Sequence, residues 1–229
     1  MTTTSSRSKK NKKRTSTSRS RTSRGRGRRP ARGGGNLFIW IFLGVLVVLF
    51  AVIAFVSRSG VTNVAITNAT VSGQALPEFG NGPDGAVGQR APTITGTSIT
   101  GERMTVEPGD GTPKAIAFLA HWCPHCQREV PTVVDWAEAG NVPDGVEVIG
   151  VATGIDRARG NFPPHDWFER ENWDFPTVVD GDDAARNAYG IPTYPGWVLV
   201  DGEGNVVMRW TGETTPEELT QRIGQLAPQ

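Results

Sequence analysis

The only two cysteines of this 229-residue chain stand three positions apart in "HWCPHC", residues 121–126. On a helix that spacing is about one turn, so both sulfurs share a face and can close a bridge. Such a dithiol gives electrons to, or takes them from, another protein's cysteines through a mixed disulfide. If a helix starts at Cys123, its unpaired backbone N–H groups and the positive end of its dipole favour a thiolate there. Cys126, one turn on, would close the bridge. Trp122 and Pro124 would shape the surface around the reactive sulfur. His125 would add positive potential beside Cys123, stabilising the reduced pair and making the disulfide a stronger oxidant. The range from thioredoxin-like to strongly oxidising pairs is about 150 mV, roughly 7 kcal/mol.

Three other chemistries compete for the same residues. A structural disulfide suits an oxidising compartment, but a bridge closing so short a loop constrains the unfolded chain little. A zinc site with His121 and His125 would crowd four ligands into six residues. A copper-binding metallochaperone needs only the two thiolates.

The elements that must position the pair are legible around it. "KAIAFLA", Lys114–Ala120, is a continuous apolar run, as in a strand buried on both faces. After it, Val130, Val133, Val134 and Ala137 fall on one helical face and Gly140 ends the helix. "VEVIGVA" and "FPTVVD" read as strands, "PPHDWFERENW" and "DDAARNAY" as helices, and "GWVLVDGEGNVVMRW" as a hairpin turning at "DGEGN". In "TTPEELTQRIGQL", Thr215 caps, Pro216 suits the first turn and Glu218 completes a capping box. "TITGTSITGERMTV" reads as an edge hairpin. Strands alternating with helices predict an α/β fold: a mixed sheet with helices on both faces.

"AFLAHWCPHCQREVP" resembles the active-site strand and helix of the thioredoxin superfamily, and "CQREVP" its membrane-anchored TlpA/ResA-like branch. Pro131 stands where that family kinks its helix, and "YGIPTYPGWVLVDGEGNV" resembles the block before its closing hairpin. The resemblance covers about residues 91–226 and implies a thiol-disulfide oxidoreductase whose redox centre is the Cys123–Cys126 pair, with no added cofactor and no metal. It implies a cis proline facing the cysteines, for which Pro192 and Pro195 are candidates and the spacing favours Pro195. Tyr194 would then offer its backbone to an extended substrate segment. Glu129 matches an acid that the TlpA/ResA-like branch carries three positions after its second cysteine, where it tunes proton transfer. Three features depart from the family. Ala117 occupies the strand position where many thioredoxins bury an acid. Gly196 follows Pro195 where threonine is frequent. The dipeptide "PH" is similar to that of the oxidant DsbA rather than to the reducing members of the branch. His121 would line the site or sit on an exposed loop, and His165 reads as surface or cap material.

The near-neutral total charge hides two opposite halves. Residues 1–58 carry 14 Lys and Arg and no acid; residues 59–229 carry the other 10 with all 23 acids. Leu37–Val56, 20 residues without a charged or polar side chain, matches the roughly 30 Å of a bilayer core. It is longer than the roughly 7–15 residues of a signal-peptide core, and "SRSGVTNVAI" has no clear cleavage site. The expected organisation is a basic, disordered cytoplasmic tail (1–36), a transmembrane helix (37–56), a linker (57–90) and a thioredoxin-like domain (91–229) outside the membrane, by the positive-inside rule. The tail suits anionic lipid; without interleaved aromatics or a folded motif, nucleic acid is disfavoured. Expected partners are exported proteins bearing thiols or disulfides, and a membrane or soluble redox partner. A reductase serving cytochrome c maturation and the copper metallochaperone stand as the alternative functions.

Overall fold

A computed structural model describes residues 35–58 and 66–227, with the side chains of residues 35–38 and 53–58 left aside. Two compact units divide the chain near residue 60. The first contains α1 (Gly35–Arg58), of 24 residues. Its described side chains, residues 39–52, expose every large apolar group among them, from Ile39 to Val52. Only 14 side chains of α1 are described, and among the described residues no helix is long and apolar enough to cross a membrane. The expected basic tail lies outside the described residues except for Gly35 and Asn36, which already belong to α1.

The second unit is built on a five-stranded sheet ordered β6-β5-β4-β7-β8. The strands are β4 (Lys114–Leu119), β5 (Glu147–Ala152), β6 (Thr177–Val179), β7 (Gly196–Val200) and β8 (Val206–Thr211). β4, β5 and β6 run parallel; β7 runs antiparallel to β4, and β8 antiparallel to β7. Alternation along β4 sets the two layers. Ala115, Ala117 and Leu119 pack with α2 (Pro124–Glu138), α3 (Pro164–Arg170) and α5 (Pro216–Ile223). Ile116 and Phe118 face the other way, toward α4 (Ala184–Ala188) and the N-terminal segment. The mixed sheet with helices on both faces is as expected. So is the capping box of α5, where Thr215 Oγ1 and Glu218 exchange bonds with each other's backbone. Lys114 belongs to the apolar run yet is buried; its Nζ binds Asp110 at 2.6 Å and the Thr112 carbonyl at 2.9 Å, which satisfies the charge.

The linker expectation needs correction. Residues 66–90 are built into the domain rather than free. β1 (Thr70–Ser72) pairs with β2 (Thr93–Thr97), and β2 with β3 (Arg103–Val106), in an antiparallel three-stranded sheet. The strap between β1 and β2 bonds through Leu76 N–H to Ala188 O and Gly88 N–H to Val206 O, both at 2.8 Å. Its anchor is Arg209 of β8, fully buried and held by Asp84 and by the carbonyls of Pro77 and Tyr189. Few large apolar residues were needed here because backbone bonds and this ion pair do the holding. Of the expected linker, residues 59–65 lie outside the described residues.

Candidate active site

β4 delivers the chain to the C-terminal end of the parallel strands, and residues 120–123 turn it into α2. Cys123 is the N-cap, with φ −74° and ψ 122°, and Pro124 occupies the first turn, where its missing N–H leaves no bond unmade. The Cys123 carbonyl accepts from Gln127 N–H at 3.0 Å, the first bond of the helix. Cys123 Sγ, 6% exposed, donates to the Tyr194 carbonyl at 3.7 Å. Cys126 has no exposed surface, and its Sγ accepts from Ala120 N–H at 3.5 Å. Both are free thiols in this structure. Burial pushes the Cys126 thiol well up from its ordinary value, and the neighbouring Cys123 and Glu129 add to the rise. The two sulfurs are therefore unequal: one at the mouth of the site, the other sealed beneath it.

Below Cys126, one turn along α2, lies Glu129, 1% exposed. Its Oε1 accepts from Trp197 Nε1 at 2.9 Å and its Oε2 from Thr214 N–H at 2.7 Å. Burial raises its carboxyl above the usual range; the two donors pull the other way. Register explains the space it fills. Ala117 pairs directly with Trp197, and Trp197 with Trp210. The two indoles stack at 5.4 Å and 9°, beside a strand position that carries only a methyl group. The buried acid beneath Cys126 is thus carried by the helix, while the strand position is Ala117.

The wall facing Cys123 is the Tyr194–Pro195 peptide, which is cis, whereas Pro192 is not. Gly196 has a packing reason: a Cβ there would run into the Ile191 side chain and lie 3.2 Å from the Thr193 carbonyl. Trp122 forms the other wall. Its Nε1 donates to Gly154 O at 2.6 Å, its ring meets Tyr194 edge-on at 6.1 Å, and Arg159 sits 4.0 Å over it. Gly154 has φ +59° and lies against the Tyr194 ring, so only a residue without a side chain fits between the two walls. Its N–H is held by Asp183 at 2.6 Å. Burial pushes the Tyr194 hydroxyl up to about 12.

The histidines divide. His125 is exposed at the rim, with Nδ1 2.5 Å from Glu213 Oε1. His121 is buried, not on an open loop. Its Nε2 accepts from Asp156 N–H at 3.2 Å and its Nδ1 faces Gly160 O at 2.8 Å, which sets a neutral ring protonated on Nδ1; burial lowers its affinity for a second proton. It staples the β5–α3 loop under the site. His165 is on α3, with Asp166 and Glu169. Among the described residues these three are the one His/Cys/Asp/Glu group with ligand atoms within 4.8 Å of each other, and the cysteines are not part of it. Sequence reasoning missed Trp197, Gly154, Asp183, Glu213 and Thr214. For Trp197 the alternation of β7 toward α2 was a usable signal; the loop residues left none.

A family model described as the AhpC/TSA family matches residues 87–209, more than half of the chain. The chain belongs to the AhpC/TSA family. The AhpC/TSA match begins inside the strap rather than after it, in keeping with a domain that starts before residue 91. The chain is similar to the thiol-disulfide oxidoreductase ResA of Geobacillus thermodenitrificans, 29% identical over 143 residues, 62% of this chain and 79% of that protein. ResA of Bacillus subtilis is 25% identical over 141 residues, 62% and 76% of the two chains. A solved structure of a putative thiol:disulfide interchange protein DsbE from Chlorobium tepidum shares the fold, with a TM-score of 0.52 at 21% identity over 61% of this chain and 96% of that one. The TlpA/ResA-like, thioredoxin-superfamily resemblance read from "WCPHC" and Pro131 is thus shown.

Proposed function

We propose that this thiol-disulfide oxidoreductase is anchored in the cell membrane by α1 and exchanges disulfides with exported proteins on the outer side. The single observation that carries the chemistry is the inequality of the sulfurs, Cys123 at the mouth and Cys126 sealed. In the reducing direction, Cys123 as thiolate attacks a substrate disulfide, forms one S–S bond to the substrate and releases one substrate thiolate. Cys126 then gives up its proton and attacks Cys123 sulfur. The mixed disulfide breaks, the Cys123–Cys126 bridge forms and the second substrate thiolate leaves, so the substrate gains two electrons and the pair loses two. Glu129 is the acid–base group beside Cys126 for that proton. Trp122 and Tyr194 hold the substrate segment between them. The redox carrier is the pair itself, without a further cofactor.

The same steps run backward oxidise a dithiol. His125 favours that oxidising direction; the likeness to ResA favours a reductase, for instance of cytochrome c precursor thiols. Redox titration of the domain separates them: a potential near the −120 mV of DsbA supports an oxidant, one near the −270 mV of thioredoxin a reductase. A protein that neither reduces disulfides nor oxidises dithiols would overturn the whole reading.

The apolar sequence of Leu37–Val56 and the exposed apolar surface of α1 support the anchor, and the 13 Lys and Arg before Leu37 support a cytoplasmic tail on anionic lipid. Fractionation tests this. The full chain is expected in alkali-washed membranes and a chain lacking residues 1–58 in the soluble fraction; a soluble full chain would contradict the anchor.

A further inference from the structure

Glu213, in the loop between β8 and α5, is exposed and absent from every motif of the sequence, yet it touches the active-site helix twice. Its Oε1 lies 2.5 Å from His125 Nδ1 and 2.6 Å from Arg128 Nη2, and its Oε2 accepts from Arg128 Nε at 2.9 Å. The next residue, Thr214, donates its N–H to Glu129 at 2.7 Å. One loop of two residues thus holds both the rim base and the buried acid of α2.

Charge sets the consequence. The two arginines over the site's aromatic walls each have one acidic partner: Arg159, over Trp122, with Asp156 at 3.3 Å, and Arg186, over Tyr194, with Asp183 at 3.9 Å. At Glu213 a single carboxylate serves a guanidinium and an imidazole together, both on the first turns of α2. His125 and Arg128 follow Cys123 by two and five positions on the helix that Cys123 caps. Glu213 stays ionised throughout the working range, held down to about 2 by Arg128 first and His125 second.

We propose that Glu213 is a positioning residue that fixes His125 and Arg128 at the rim and offsets the positive field of the Arg128 guanidinium on Cys123, holding the dithiol more reducing than its Cys-Pro-His-Cys motif alone would make it. This rests on the exchange chemistry proposed above. The relevant balance is Cys123–Cys126 disulfide plus two glutathione thiols giving the dithiol plus glutathione disulfide. A neutral residue at 213 leaves the Arg128 guanidinium uncompensated, stabilises negative sulfur at Cys123 and moves that balance toward the dithiol.

The test is the equilibrium constant with glutathione for the wild-type domain and for Glu213→Gln, each also on a His125→Asn background that isolates Arg128. Glu213→Gln is expected to favour the dithiol by about threefold to tenfold on both backgrounds; tenfold is about 30 mV for two electrons. Arg128→Gln is expected to shift the balance the opposite way, Glu213→Asp to stay near wild type, and the Arg128→Gln, Glu213→Gln double variant to return toward it. A wild-type domain that equilibrates with glutathione while Glu213→Gln leaves the constant unchanged, or moves it toward the disulfide, overturns this inference alone. A wild-type domain that does not equilibrate at all overturns the exchange reading instead. The wild-type far-UV spectrum of each variant keeps a folding defect from imitating either result.

Discussion

Cys126 and Glu129 both resist ionisation, chiefly through burial. The Glu129 charge adds to the rise at Cys126, as the Glu213 charge does at Glu129. Cys126 must nonetheless lose a proton to close the bridge, and in the mechanism proposed above Glu129 takes it. Cys126→Ala is therefore expected to accumulate mixed disulfides through Cys123, seen as non-reducing gel adducts, whereas Cys123→Ala forms none. Glu129→Gln is expected to keep the first attack and slow resolution by about a hundredfold, the lower end of general-base contributions; acid-quenched lifetimes of the mixed disulfide measure it. The same carboxyl has a stability signature. Its folded value lies above the ordinary glutamate value of about 4.5, so the folded state keeps a proton that the unfolded chain releases. Stability is full below about pH 4.5 and falls as pH rises through the folded value. Urea denaturation should show this decline in the wild type and lose it in Glu129→Gln.

At the scale of elements, the site is the meeting of α2 with β4 and β7. Trp197 on β7 supplies one of the two donors to Glu129. Trp197→Phe keeps a ring in the stack but leaves a buried acceptor short of a partner, at about 1–3 kcal/mol. Thermal or urea denaturation should show that loss, with the pH-dependent decline reaching to higher pH. These elements were legible in the sequence for a physical reason. "KAIAFLA" and the valines of α2 follow the periods of strand and helix, and Pro124 and Thr215 sit where helix ends need them. Pro195, Tyr194 and Glu129 came through resemblance rather than period. The loop contributions of Gly154, Asp183 and Glu213 could not be read, because they depend on which loops converge at the ends of the parallel strands. No local period encodes that.

At the scale of the molecule, the domain begins earlier than its apolar content suggested. The strap is poor in large apolar groups, so hydrophobic patterning passed it over, and its holding contacts join residues more than a hundred positions apart, as Asp84 with Arg209. Arg209 chiefly, through its hydrogen bond, holds the Asp84 carboxyl below its usual value. That contribution is present above about pH 3.8 and is lost as pH falls through the lowered folded value. Asp84→Asn is expected to cost about 3 kcal/mol, as a buried cation loses its partner, and to flatten the acid limb of stability. A fragment of residues 61–229 is expected to unfold cooperatively, and one of residues 91–229 to be far less stable, by urea titration of each.

The central claim is that the two sulfurs have different access and different tasks. The most direct measurement is time-resolved alkylation of the reduced, folded protein at neutral pH, with the label located by mass spectrometry. Cys123 is expected to be modified rapidly and Cys126 only after denaturant is added. Equal labelling of the two, or Cys126 reacting first, would contradict the account.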